Sequence, residues 1–165
     1  MRQRLMFALL LIAAAPNHDG ATARPAAAWT EQEPAPTKSP FAGVWIANLS
    51  KSKPDPNYQF KSVTLHLVVS RDSVTLTSRV LTAAGEEQRL TETFRTDGSE
   101  TPGTLSPGIT HVARWVGPHV LVTTAHKDGR LIGLITYDIS ADGRILTARS
   151  SILAEHVIVF ERAEK

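Results

Sequence analysis

Six histidines are the side chains with which this chain could do metal or acid–base chemistry, and their spacing argues against most of it. His111, His119 and His126 fall on two neighbouring β segments, which does not by itself bring three imidazoles onto one face. A thiolate metal site is excluded, because the chain has no cysteine. No Gly-x-Ser-x-Gly turn, His-Glu-x-x-His or Cys-x-x-Cys occurs, so the common nucleophile and metalloprotease spacings are missing. No metal and no cofactor is expected. What remains is polar lining. His126 shares the phase of Val120, Val122 and Thr124; His156 that of Ile158 and Phe160; Glu92 that of Leu90 and Phe94; Tyr137 that of Ile135 and Ile139. Side chains alternate along a strand, so Glu92, His126, Tyr137 and His156 are the expected ligand-binding residues of an interior, with His119 out of phase on the surface. The competing reading makes them rim residues or core polar groups satisfied locally. A buried polar group left without a partner costs about 1–3 kcal/mol, so those that point inward must bond to one another, to water or to a ligand.

The elements that would carry them are strands. After Gly43, segments rich in Val, Thr, Leu and Ile alternate with Gly, Asp, Pro and Ser at short spacing, the pattern of an all-β sandwich or barrel. Strands are expected near 44–49, 62–70, 73–82, 87–95, 109–116, 119–127, 131–139, 144–152 and 156–162. Arg71-Asp72, Gly117-Pro118, Asp128-Gly129 and Asp142-Gly143 stand between consecutive segments and supply the φ values of tight hairpins. Such connections force antiparallel pairing, hence an up-and-down meander. Alternation assigns Val63, Leu65, Leu67 and Val69 to one face, then Val74, Leu76, Ser78 and Val80, then Val120, Val122 and Thr124, then Leu131, Ile135, Tyr137 and Ile139. Leu146, Ala148, Ile158 and Phe160 complete the inner set. In 109–116 either Val112 with Val116 or Ala113 with Trp115 faces in. The longest connection, Thr96–Gly108, is expected at a barrel mouth, where ligand contacts are common. About nine strands leave two bare edges unless the sheet curls shut, so closure into an 8–10-stranded barrel is expected.

Before Phe41 the chain has a different character. Met1-Arg2-Gln3-Arg4 is positively charged, Leu5 to Ala15 is apolar, and Ala21-Thr22-Ala23 has the small-x-small pattern of a cleavage site. That is the design of a signal peptide, here 1–23, with Ala15 and Ala28 closing rival sites. The apolar run is too short to span a bilayer. Residues 24–40 carry four prolines, at 25, 34, 36 and 40, and form an expected disordered linker containing Trp29. Residues 41–165 form the expected barrel domain. The chain is therefore expected to be exported, to the periplasm or the medium, with no membrane span after cleavage. The net charge of +2 is small, and its basic residues do not cluster, so no nucleic-acid partner is expected. The expected state is a monomer.

Gly43-x-Trp45 at the start of the first strand, with Arg162 at the end of the last, resembles the lipocalin pattern. The resemblance implies that Trp45 packs inside the closed end of a calycin-type barrel with Arg162 lying across it, so that Gly43, Trp45 and Arg162 are barrel-end structural residues. The continuation through Asn48, Lys51-Ser52-Lys53 and Pro54 is similar to secreted lipocalin-like proteins of soil bacteria, over roughly residues 41–163. The Thr-Asp-Tyr type triplet between the sixth and seventh strands, a cysteine pair and a helix after the strands are not evident in the sequence. The resemblance implies a fold, and names no ligand.

Three classes of function follow. The leading one is a non-enzymatic barrel binding a small, mostly apolar molecule in its lumen. The second is a structural or interaction module whose barrel is filled by its own side chains. The third is an enzyme, for which no motif speaks. A haem-binding barrel with His156 as axial ligand is a variant of the first.

Overall fold

The computed structural model describes residues 39–54, 59–104, 107–151 and 156–164. The expected signal peptide, most of the linker and Trp29 lie outside the described residues. Ten strands form one antiparallel sheet: β1 (Gly43–Ala47), β2 (Phe60–Val69), β3 (Ser73–Thr82), β4 (Glu87–Arg95), β5 (Thr101–Pro102), β6 (Ile109–Trp115), β7 (Val120–Lys127), β8 (Arg130–Ile139), β9 (Ile145–Ser150) and β10 (Val157–Arg162). Each pairs with its chain neighbour except β4 with β5. β1 pairs with β10, as Trp45 opposite Arg162 and Ala47 opposite Phe160, which brings the first and last strands together. β4 and β5 are the two ends of the ladder. Among the described residues a single 3-10 turn, Leu49–Lys51, is the only helix, and no helix is long and apolar enough to cross a membrane.

The meander follows from its hairpins. Lys127 pairs with Arg130, leaving a two-residue turn in which Asp128 has φ 51° and Gly129 φ 74°. Two successive positive φ values match the twist of the flanking strands, and Asp-Gly supplies them at low cost. Ser140 accepts from Gly143 N at 2.8 Å, closing the Asp142-Gly143 turn, and Val116 N donates to Val120 O across Gly117-Pro118.

Side-chain contacts and one isolated backbone bridge, rather than a ladder, join β4 and the residues just after it to the β5–β6 edge. Arg95 N donates to Thr101 Oγ1 at 3.2 Å. Asp97 and Arg114 form an isolated bridge. The Phe94 and His111 rings meet edge to face with centroids 5.5 Å apart. The Thr96–Gly108 segment is thus not a single mouth loop. It places β5 along β6, and Thr104 reaches back to Glu92 of β4.

The expected faces hold on β2, β3, β9 and β10, where Val63, Leu65, Leu67, Val74, Leu76, Val80, Leu146, Ala148, Ile158 and Phe160 are buried. On β6, Ala113 is buried and Trp115 packs against the core, with Val116 exposed. Two assignments are overturned. On β7 the buried residues are Leu121, Thr123 and Ala125, the opposite phase from Val120, Val122 and Thr124. Both faces of this strand are nearly equally apolar, so its register against β6 and β8 decides, and a one-residue difference inverts the set. On β8, Ile135, Tyr137 and Ile139 are buried, but Leu131 is 56% exposed. The pairing steps from Ala125–Gly133 to His126–Leu131, so Ile132 is a bulged extra residue and Leu131 is turned outward.

Candidate binding site

One end of the barrel is closed by aromatic side chains. Trp45 and Phe41 have no solvent exposure. Trp45 Nε1 donates to Phe41 O at 2.9 Å, and the Phe41 ring meets Trp115 edge to face at 5.0 Å between centroids. The Arg162 guanidinium lies 4.2 Å from the Trp45 ring centre, a cation–π contact. Its Nε donates to Gly143 O at 2.8 Å, its Nη1 to Ala42 O at 2.8 Å and its Nη2 to Pro40 O. One side chain therefore ties the chain entry, the β8–β9 hairpin and β10 around a buried tryptophan. A Cβ on Gly43 would stand 2.8 Å from Arg162 Nη1, and Gly43 has φ 135°. Both its space and its backbone favour glycine. Phe160, Leu146 and Ile139 pack above this plug.

Towards the other end the interior changes. The hairpin at 128–129 and the starts of β6 and β10 lie there, and polar side chains are buried among the apolar ones: Ser78, Thr82, Glu92, His111, Thr123 and His156. Two groups stand out among them. Along the join between β4 and β6, Glu92 accepts from Thr104 N at 3.2 Å and from Thr104 Oγ1 at 2.8 Å. His111 faces Phe94 there, with its Nε2 edge against Gly103. Its Nδ1 is buried and has no hydrogen-bond partner among the described residues. Burial pulls the His111 imidazole below its ordinary pKa; the Glu92 charge opposes that shift and His126 adds to it. On the β7–β8 wall, Tyr137 is hydrogen-bonded to Thr123, and its burial pushes the phenol well above its usual pKa, the bond to Thr123 drawing it partly back. Ser150 N donates to His156 O at 3.1 Å, placing His156 at the leading end of β10.

Of the four residues expected inside, the structure buries Glu92, Tyr137 and His156. His126 is the correction. It is half-buried and alternates with the buried Leu121, Thr123 and Ala125, so the reversed phase of β7 takes it off the inner face. His111 and Thr123 replace it and were missed. The signal was present in β6: once Ala113 and Trp115 face in, His111 two residues earlier must face in as well.

A separate groove of about 440 Å³ lies on the outer side of β1 and β10, lined by Ile46, Ala47, Asn48, Leu49 and Glu161 through Glu164. Asn48 Nδ2 and Lys51 Nζ both donate to Glu161 Oε1 at 2.9 Å beside it. Glu92, Tyr137 and His156 take no part in this groove. The described residues contain no cluster of three or more metal-ligating side chains.

No protein-family model matches the chain, and no curated protein matches it in sequence. Solved structures do match in fold. A variant of the fluorescent protein UnaG superposes with a TM-score of 0.53 at 19% identity, covering 76% of this chain and 97% of that one. A second UnaG variant gives 0.51 at 17%, over 76% and 98%. The Schistosoma mansoni fatty acid binding protein in complex with arachidonic acid gives 0.50 at 12%, again over 76% and 98%. At such identities the likeness is one of architecture: this chain folds as an all-β, antiparallel, nearly closed ten-stranded barrel similar to theirs.

Proposed function

We propose that this protein is an exported, monomeric, non-enzymatic barrel whose interior holds a small, mostly apolar molecule. One observation carries the reading. The interior is divided between an end plugged by Trp45, Phe41 and Phe160 and a part lined by Ser78, Ala125, Glu92 and His111, where the buried His111 Nδ1 meets no partner. An unbonded buried nitrogen costs about 1–3 kcal/mol; the packed plug carries one at Trp115 Nε1, whereas His111 Nδ1 stands among the polar groups of the interior. A ligand that bonds it removes that cost. Apolar area would drive binding, and Glu92, His111, Tyr137 and His156 would set orientation. The fold is compatible, since a similar barrel is a fatty acid binding protein holding arachidonic acid, although fold alone does not assign a ligand.

Titration with an uncharged, environment-sensitive apolar dye tests this. The wild type is expected to saturate at one site per chain. Ala125→Phe, which sets a ring opposite His111, is expected to abolish that binding while leaving the circular dichroism of the sheet intact. Dye signal that rises without saturation would refute the reading. Export rests on the charged start and apolar run of residues 1–15. A mature amino terminus at Arg24, found by mass spectrometry of protein from its own host, would support it.

A second reading, an interaction module, is favoured by the outer groove and by Val44 and Ile46 beside it, 39% and 50% exposed. Ile46→Lys would then impair partner capture and leave dye binding unchanged.

A further inference from the structure

We infer that the molecule held in the barrel is uncharged and offers a hydrogen-bond donor, a hydroxyl or an amide N–H, and that the interior discriminates against carboxylates. The inference rests on the binding reading above and narrows its ligand class. Its basis is where the charges are. Every described lysine and arginine is exposed except Arg114 and Arg162, which are half-buried. Arg114 sits between the inward Ala113 and Trp115, hence on the outer face, with its guanidinium against Gly98. Arg162 is at the plugged end, stacked on Trp45 and spent on three backbone carbonyls. No lysine or arginine among the described residues therefore faces the polar part of the interior. The one buried acid there is Glu92.

Those groups select by chemistry. A ligand carboxylate entering beside Glu92 would be desolvated without a counter-charge and repelled by a like one, and an unpaired buried charge is strongly disfavoured. An ionised carboxyl only accepts hydrogen bonds. Glu92 already takes two from Thr104 and has acceptor capacity left. A neutral imidazole can accept at Nδ1, and burial favours the neutral form of His111. The interior thus offers acceptors at its join and, among the described residues, lacks the lysine or arginine that would pair with an anion.

The test uses the mature chain at pH 7.5, with the uncharged dye bound and displaced by three compounds of one chain length: 1-decanol, decyl methyl ether and decanoate. Decanol is expected to displace the dye at a concentration about tenfold or more below that needed for decanoate, the ratio expected for one unfavourable charge interaction in a partly solvated interior. The ether, which accepts but cannot donate, is expected to fall below decanol. Decanoate equal to or better than decanol would overturn the inference and leave the binding reading standing. Ether equal to decanol would overturn its donor part. Failure of the dye itself to saturate would overturn both. Glu92→Gln keeps size and an acceptor oxygen while removing the charge. It is expected to narrow the gap between decanol and decanoate several-fold, and an unmoved ratio would overturn the part assigned to Glu92.

Discussion

At one end of the barrel Phe41, Trp45, Trp115 and Phe160 meet over a guanidinium that is bonded to three carbonyls; towards the other, Ser78, Ala125, Glu92 and His111 line the same strands. The first region spends its side chains on closure. The second gathers buried polar side chains, Glu92 and His111 among them; among the described residues an unbonded buried nitrogen occurs in both, at Trp115 Nε1 and at His111 Nδ1. A difference of this kind separates stability from function: the plug should dominate unfolding, and the polar part should dominate binding while contributing less to the fold.

The sharpest test of that division is Trp45→Ala. Deleting a fully buried tryptophan is expected to remove about 3–5 kcal/mol in urea unfolding. A loss below about 1 kcal/mol, the range of surface sites, would deny the plug its role. Arg162→Ala comes next. It removes a cation–π contact and leaves the carbonyls of Pro40, Ala42 and Gly143 without that donor, with an expected cost of about 2 kcal/mol. Were Arg162→Ala as stable as wild type, the guanidinium would be a bystander on the tryptophan. Gly43→Ala should cost about 1–2 kcal/mol, because it adds a methyl group to a crowded position of positive φ. An unchanged urea midpoint would show that Arg162 moves aside freely.

The polar part predicts a smaller effect, visible in pH. The folded pKa of His111 is lowered by burial, whereas in the unfolded chain it returns to about 6.5. Below that value the unfolded chain takes a proton that the folded barrel resists. Stability is therefore complete above about pH 6.5 and falls as pH drops towards the folded pKa. Asp97, Asp142 and Glu161 have folded pKa values lowered by their hydrogen bonds. Their contribution is present above the ordinary carboxylate pKa and is lost only in more acid solution. Urea midpoints of wild type and His111→Leu at pH 7.5 and 5.5 separate the two. The variant should lose the decline between those values, and identical declines would remove His111 from the account. The smallest effect belongs to the exposed Lys51–Glu161 pair. Glu161→Gln should leave the midpoint within experimental scatter, and a clear drop would mean that the outer groove matters to the fold.

Much of the fold was legible in the residues. Asp128-Gly129 and Asp142-Gly143 announce hairpins because few other residues accept their φ values, and Val63-x-Leu65-x-Leu67 shows its inner face because its alternate positions are polar or charged. β7 was not legible. Val120 through Ala125 is apolar or small on both faces, so alternation has no contrast to read. The bulge at Ile132 and the two-residue β5 leave no local signal either, since each exists through its partner strand.

By itself, then, the amino-acid order determined an all-β meander with its hairpins and most of its inner faces, because turn chemistry and two-residue periodicity are local properties. Tertiary structure alone decided which face of β7 is buried, that β4 meets β5–β6 without a ladder, and that His111 rather than His126 stands beside Glu92. Those outcomes depend on register between strands, and register is set by pairing energies summed over neighbours that no single segment contains.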